Sequence, residues 1–313
     1  MVACTLLSTR WLTAEATSRP ARAQSPAATL GGMSSETAIH VRGLRKSYGQ
    51  TPAVDGIDLD ISRGEVFALL GPNGAGKTTT VEILEGYRHR DGGTVAVFGQ
   101  DPASAGRNWR ARIGIVLQLT AEPELTVAEM VTMFAGFYPK PRDPGEVIEL
   151  VGLGGLSARR GRQLSGGQRR RLDVALGIVG RPELLFLDEP TTGFDPEARR
   201  QFWELIGHLA SEGTTILLTT HYLPEAEALA DRVAVLASGK VVALGIPDSL
   251  GGRVTQDAQV SWEAPDGRRT LQTATPTKVV TELAAEFSGE VPGLAVTRPS
   301  LEDVYLELIG ADR

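Results

Sequence analysis

The sequence predicts an α/β fold in which a mainly parallel sheet is covered by helices, and three observations carry that prediction. EVFALL, ELLFLDEP and TTILLTT are apolar runs of strand length with no polar alternation, the pattern of strands buried on both faces. Between them lie segments of helical spacing: KTTTVEILEGY, RRRLDVALGIVG with Leu172, Ala175, Leu176 and Val179 in register, and DPEARRQFWELIGHLA with Phe202, Leu205, Ile206 and Leu209 on one face. A glycine-rich loop, residues 71–79, joins the strand EVFALL directly to the first of these helices. Strands and helices that alternate in this way pack as helices on a parallel sheet.

Taken in order, residues 1–35 are rich in Ala, Ser, Thr and Pro with Arg10, Arg19 and Arg22 scattered among them, and they read as a disordered extension. A signal peptide is the competing reading. The apolar run Val2 to Leu7 is short for one and Arg10 follows it rather than preceding it, and Met33 offers an alternative start. From Ile39 the strand candidates AIHVR, VDGIDLDI and EVFALL lead to the helix KTTTVEILEGY, and TVAVFG and RIGIVLQ add strands. Residues 126–153 are mostly helical, as LTVAEMVTMFAGFY and PGEVIELVGL separated by the Pro-rich PKPRDP. After Gly245 come polar strands (AQVSWEA, RRTLQTA), a helix (PTKVVTELAAEF), a strand (LAVT) and a closing helix (SLEDVYLELI) that Ser300 and Asp303 can cap. The expected organisation is a domain over 36–245, with a helical subdomain at about 119–165, and a small α+β domain over 246–313.

A chain of 313 residues with 42% hydrophobic content has room for a substantial core. Its 32 basic residues against 38 acidic ones, net charge -6, argue against a polyanion as main partner, so nucleic acid is not expected. The single Cys4 cannot form an internal disulfide, which fits a reducing compartment. No window approaches 18 consecutive apolar residues, so a membrane role requires a partner that spans the bilayer.

Three motifs carry chemistry. The loop Gly71, Pro72, Asn73, Gly74, Ala75, Gly76, Lys77, Thr78, Thr79 fits G-x-x-x-x-G-K-[ST] between strand and helix, where it forms a phosphate cradle. Backbone N–H groups and the helix N-terminus would meet the phosphates of ATP, Lys77 would neutralise them and Thr78 would ligate Mg²⁺. A Gly-rich turn with a chance lysine is the bland alternative, and strand, loop and helix in register weigh against it. LLFLDEP ends an apolar strand on Asp188, placed for Mg²⁺, and Glu189, placed to polarise an attacking water. Alone, such a pair reads as a solvated strand end; beside a phosphate loop it reads as a site. Leu164, Ser165, Gly166, Gly167 and Gln168 put a hydroxyl and two glycines at another helix N-terminus, a second anion site on one chain.

In this order the phosphate loop, LSGGQ and FLDEP resemble the ABC ATPase family over about residues 38–245. The resemblance implies a P-loop NTPase core with an antiparallel β subdomain and a helical subdomain. It implies a head-to-tail homodimer, with each ATP held between the phosphate loop of one subunit and LSGGQ of the other. It also gives roles to further residues: Tyr48 stacks on adenine, Gln118 touches Mg²⁺ or the attacking water, Asp195 lies at the subunit contact and His221 contacts the γ-phosphate. For Tyr48, Gln118 and His221 a purely structural part is the competing reading. Phe194 stands where the family commonly has Leu.

The tail Arg298-Pro-Ser-Leu-Glu-Asp-Val-Tyr-Leu-Glu-Leu looks like that of the ATPase subunits of bacterial antibiotic and multidrug exporters. The implied partner is a separate transmembrane permease, with the chain cytoplasmic and peripheral on the inner face of the membrane. Val127, Met130, Val131, Phe134 and Phe137 could face such a permease, although packing in the core is the first expectation. An importer ATPase and a soluble ABC ATPase acting on nucleic acid or ribosomes are the rival readings. The chain lacks the paired cassettes, zinc motifs and basic patches that favour the soluble kind.

Overall fold

The computed structural model describes residues 36–116, 124–252 and 257–310. The expected extension over 1–35 and the candidate Gln118 lie outside them. Two long strands, β1 (Thr37–Tyr48) and β2 (Thr51–Ser62), precede β3 (Val66–Leu70), α1 (Lys77–Leu84), β4 (Gly92–Val97), a single turn α2 (Arg107–Arg110) and β5 (Ile113–Val116). The helical stretch is α3 (Val127–Ala135), α4 (Pro144–Leu150) and α5 (Gly166–Ile178). Then β6 (Leu184–Asp188), α6 (Pro196–Ser211), β7 (Thr215–Thr220), α7 (Leu223–Leu229), β8 (Arg232–Ala237) and β9 (Lys240–Gly245) complete the main body. A 3₁₀ segment, Pro247–Gly252, leads to β10 (Ala258–Ala264), β11 (Gly267–Thr273), α8 (Pro276–Glu286), β12 (Ala295–Thr297) and α9 (Leu301–Gly310).

The central sheet runs β5-β6-β7-β3-β8-β9. Its first five strands are parallel and β9 pairs antiparallel with β8. Each apolar strand divides its side chains between two cores, as a two-residue period demands. In β3, Val66, Ala68 and Leu70 enter one core and Phe67 and Leu69 the other; in β6, Leu185 and Leu187 oppose Leu184 and Phe186. Both sets are fully buried, which is why these runs show no polar alternation.

The second of these cores lies under the antiparallel sheet β2-β1-β4, where Ile39, Val41, Leu59 and Ile61 pack with Val81 and Leu84 of α1. Alternate positions of β1 turn outward, and His40 and Arg42 meet Asp60 of β2 at 2.6 and 2.5 Å. The first core takes Val127, Met130 and Val131 of α3, Val147 and Ile148 of α4, and Leu172 and Ala175 of α5. So three of the five candidates for a permease-facing surface are core residues. Phe134 is partly buried against that core, and Phe137, 63% exposed, meets it edge to face at 5.8 Å.

A third sheet, β11-β10-β12, is antiparallel. α8 packs on it around Val260, Leu283 and Val291, an apolar cluster separate from the main cores. The closing helix does not join that cluster. Leu301 of α9 is buried in the main core beside Leu250, and Tyr305 and Leu308 pack on it. Ser300 and Asp303 cap α9 as expected: Asp303 N donates to Ser300 Oγ at 3.1 Å and Ser300 N to Asp303 Oδ2 at 2.7 Å. No helix among the described residues is long and apolar enough to cross a membrane.

Candidate functional site

The C-terminal edges of β3, β6 and β7 converge on a cleft of about 250 Å³. It is lined by Pro72, Asn73, Gly74, Gly76, Lys77, Thr78 and Thr79 of the loop, with Ala53 and Glu189. Two loop positions can only be glycine. A Cβ on Gly71 would lie 2.5 Å from Leu236 O, and one on Gly76, whose φ is +100°, would lie 2.3 Å from Ala53 O. α1 starts at Lys77 with no side-chain cap and no acid in its first turn, so its leading N–H groups and positive dipole end face the cleft.

The Lys77 side chain folds back over the loop and is 6% exposed. Its Nζ donates to Gly71 O at 2.6 Å and Pro72 O at 3.1 Å. Burial lowers its affinity for a proton, and the nearby Glu189 and Asp188 carboxylates work against that effect. The ammonium is therefore held by backbone carbonyls within reach of two acids.

Those acids end β6. Thr219 of β7 donates its hydroxyl to Asp188 Oδ1 at 2.5 Å and so fixes the carboxylate at the strand end. Glu189 has φ +45°, a left-handed conformation that costs a residue with a Cβ about 1–3 kcal/mol. Its N–H donates to Thr219 O at 3.0 Å and lies 3.2 Å from Thr219 Oγ1, which holds the bend. The bend aims the Glu189 side chain at His221, with Oε1 3.1 Å from Nδ1, while Thr192 Oγ1 lies 3.4 Å from Oε2. Glu189 and His221, singled out separately in the sequence, are thus in contact beside the cleft.

Tyr48 stands at the rim, 46% exposed, with its hydroxyl 3.5 Å from Thr79 Oγ1. Arg88, anchored to Glu82 at 2.6 Å, lies 5.2 Å from the Tyr48 ring centre. An exposed aromatic beside a phosphate loop is a stacking surface for a flat ring.

The remaining candidates are elsewhere. Ser165 caps α5: its Oγ accepts from Gln168 N at 3.3 Å, and Gln168 Oε1 accepts from Ser165 N at 3.0 Å. Leu164 is buried, Gly167 approaches Phe194, and Asp195 caps α6 by accepting from Ala198 N at 2.8 Å. None of Leu164, Ser165, Gly166, Gly167, Gln168 or Asp195 lines the cleft. Of the two helix N-termini singled out from sequence, that of α1 opens on the chain's own cleft and that of α5 does not.

Sequence reasoning missed what ties these parts together. Arg170, 7% exposed, donates to Asp188 O at 2.6 Å and Pro190 O at 3.2 Å, so α5 is fastened to the chain on both sides of Glu189. The basic run after LSGGQ was visible, but nothing in it marked which arginine turns inward. Thr219 and Thr192 were equally silent within threonine-rich stretches.

The Thr78 hydroxyl and the Asp188 carboxylate would offer oxygen donors to a metal at the phosphate loop. Magnesium suits that set, because it takes one or two protein oxygens and completes its shell with phosphate and water. Among the described residues no cluster of three or more His, Cys, Asp or Glu could hold a metal by itself.

A phosphate loop leading into a helix, a strand ending in an acid with a second acid next to it, separated from the loop's strand by β7, and a histidine facing the second acid define a nucleoside triphosphatase of the P-loop class. Residues 54–192 match the ABC transporter family, and relatives of that kind extend over most of the chain. The chain belongs to the ABC transporter family. It is 41% identical over 305 residues to a daunorubicin/doxorubicin resistance ATP-binding protein of Streptomyces peucetius, with 87% of this chain and 92% of the relative covered. It is 42% identical over 226 residues to a Nod factor export ATP-binding protein of Ralstonia nicotianae, covering 70% of each. Among solved structures, an ATP-binding subunit of an ABC transporter superposes with a TM-score of 0.64 at 23% identity, covering 87% of this chain and 99% of the other, a likeness of fold.

Proposed function

We propose that the chain is the ATP-hydrolysing subunit of an ABC exporter for a drug-like or other small molecule, working through a separate membrane permease. Residues 36–245 form the ATPase domain in this reading. The exporter direction is supported by the relatives above, whose names speak of drug resistance and of Nod factor export. The catalytic reading is carried by one observation: Glu189 is bent into the cleft by its left-handed backbone, against His221 and across from Lys77.

Adenine stacks on Tyr48, and the phosphates lie on the N–H groups of Gly74, Ala75, Gly76, Lys77, Thr78 and Thr79. Lys77 exchanges its backbone acceptors for phosphate oxygens. Magnesium held by Thr78 and Asp188, with Gln118, would offset phosphate charge as the γ-phosphoryl group leaves. Glu189 accepts a proton from the attacking water, and His221 orients that carboxylate and the γ-phosphate. LSGGQ and Asp195 of a second copy close the open side of the cleft, which explains why the chain carries an anion-binding helix end that its own cleft does not use. ATP thus favours a closed pair and hydrolysis releases it, a two-state motion that can drive a permease.

The test is Glu189→Gln. ATP affinity should stay within about threefold of the parent while turnover falls at least a hundredfold, the scale expected for loss of a general base. Ordinary steady-state hydrolysis by the purified variant would refute the assignment.

A further inference from the structure

Arg199 lies in the first turn of α6, outside the cleft, and reaches across to the segment that carries His221. Its NH2 donates to Phe194 O at 3.3 Å, the carbonyl next to Asp195, and its NH1 donates to Tyr222 Oη at 3.2 Å, the side chain next to His221. The guanidinium also stacks over the Tyr222 ring, 4.3 Å from its centre. One cation therefore holds two loops that leave different strands, β6 and β7. Such a contact needs the planar fork of Arg, because a Lys ammonium cannot stack and bridge at once.

We propose that Arg199 is a positioning residue that makes the loop ending in Asp195 and the loop carrying His221 move as one body, so that the contact of His221 with Glu189 depends on where the Asp195 loop sits. This deepens the proposed ATPase site and rests on it. The surroundings leave the bridge little freedom. Directly behind it, Glu225 of α7 is fully buried and faces Thr220, Thr191 and Trp203, with the charge of Arg199 close by. The Glu225 oxygens, Trp203 Nε1 and Arg199 Nε make no well-formed hydrogen bond in this conformation. Buried polar groups so near one another keep the bridge packed against α7, so a shift of the Asp195 loop would carry the His221 loop with it.

The experiment compares ATP turnover and ATP affinity for the parent, Arg199→Ala, Arg199→Lys, Tyr222→Leu, His221→Ala and the double variant Arg199→Ala/His221→Ala. Arg199→Ala should lower kcat at least tenfold with the Kd for ATP within threefold, Arg199→Lys should not restore it, and Tyr222→Leu should reproduce it from the other end of the bridge. In the His221→Ala background Arg199→Ala should cost less than twofold more, since the bridge acts through that histidine; a merely structural residue would add its full effect. Should Arg199→Ala fail to fold, Tyr222→Leu alone and in the His221→Ala background carries the same comparison. Parent-like kcat in Arg199→Ala and Tyr222→Leu, with His221→Ala inactive, overturns the bridge and leaves the site standing. An undiminished loss in the His221→Ala background overturns it too. Parent-like turnover by His221→Ala overturns the site and the bridge together.

Discussion

Asp173 lies one turn along α5 from Arg170, in a setting where burial outweighs charge pairing. The two side chains are 3.9 Å apart and both are nearly inaccessible to solvent. Desolvation pushes the Asp173 carboxyl up to about 7, against the pull of Arg170 and Arg169. An unfolded chain would release the same proton near the ordinary 3.8. Between those values the folded state binds more protons than the unfolded one, so stability is fully present below about pH 3.8 and is lost as pH rises towards 7. Asp173→Asn, which has no proton to lose, should therefore unfold at higher urea than the parent at pH 8 and at about the same urea at pH 4. Equal midpoints at both values would show that Asp173 ionises normally. Residues of this sort were silent in the sequence, because the motif marks Ser165 and Gln168 while the inward turn of Arg170 and Asp173 depends on which face of α5 meets β6. By contrast Lys77, Asp188 and Glu189 could be singled out by their place at a helix or strand end and His221 by the family resemblance, and Glu189 does meet His221 in the fold. Gln118 lies outside the described residues.

The elements show the same division. Strands buried on both faces were readable as continuous apolar runs, and helices with a single apolar face as 3.6-residue periods. Phe202, Leu205, Ile206 and Leu209 are all buried, as their spacing demands. What was not read were β8 and β9, the runs VAVLA and VVALG after the last motif, although β8 lies beside β3 in the sheet and supplies the Leu236 carbonyl that forces Gly71. Short apolar runs without a following signature give little to distinguish strand from buried helix. The strands β1 and β2 also run twelve residues each, longer than AIHVR and VDGIDLDI suggested, because bulges let polar positions continue the pairing to Tyr48. The placement of α9 was illegible for another reason. Its Leu301 and Val304 fit any apolar groove, and it is the burial of Leu301 in the main core, with Val304 close to Gly251, that shows it seats there rather than on β10.

At the scale of the whole molecule, two features ask for partners. The first is membership of a transporter family, which under the proposed function calls for a separate permease. Affinity capture from solubilised membranes should recover a hydrophobic, multi-span protein lacking its own phosphate loop. Recovery of ribosomes or nucleic acid in its place would favour the soluble reading set out at the start. The second feature is the helix end at Ser165, proposed to meet the triphosphate of a second copy, which is not among the residues lining this chain's own cleft. If two copies share each triphosphate, the mass of Glu189→Gln measured by light scattering depends on Mg-ATP: twice the 33.3 kDa of one chain with it, a single chain without it, and no doubling when Ser165→Phe is added. A mass indifferent to ATP, or doubling undisturbed by Ser165→Phe, would contradict that sharing.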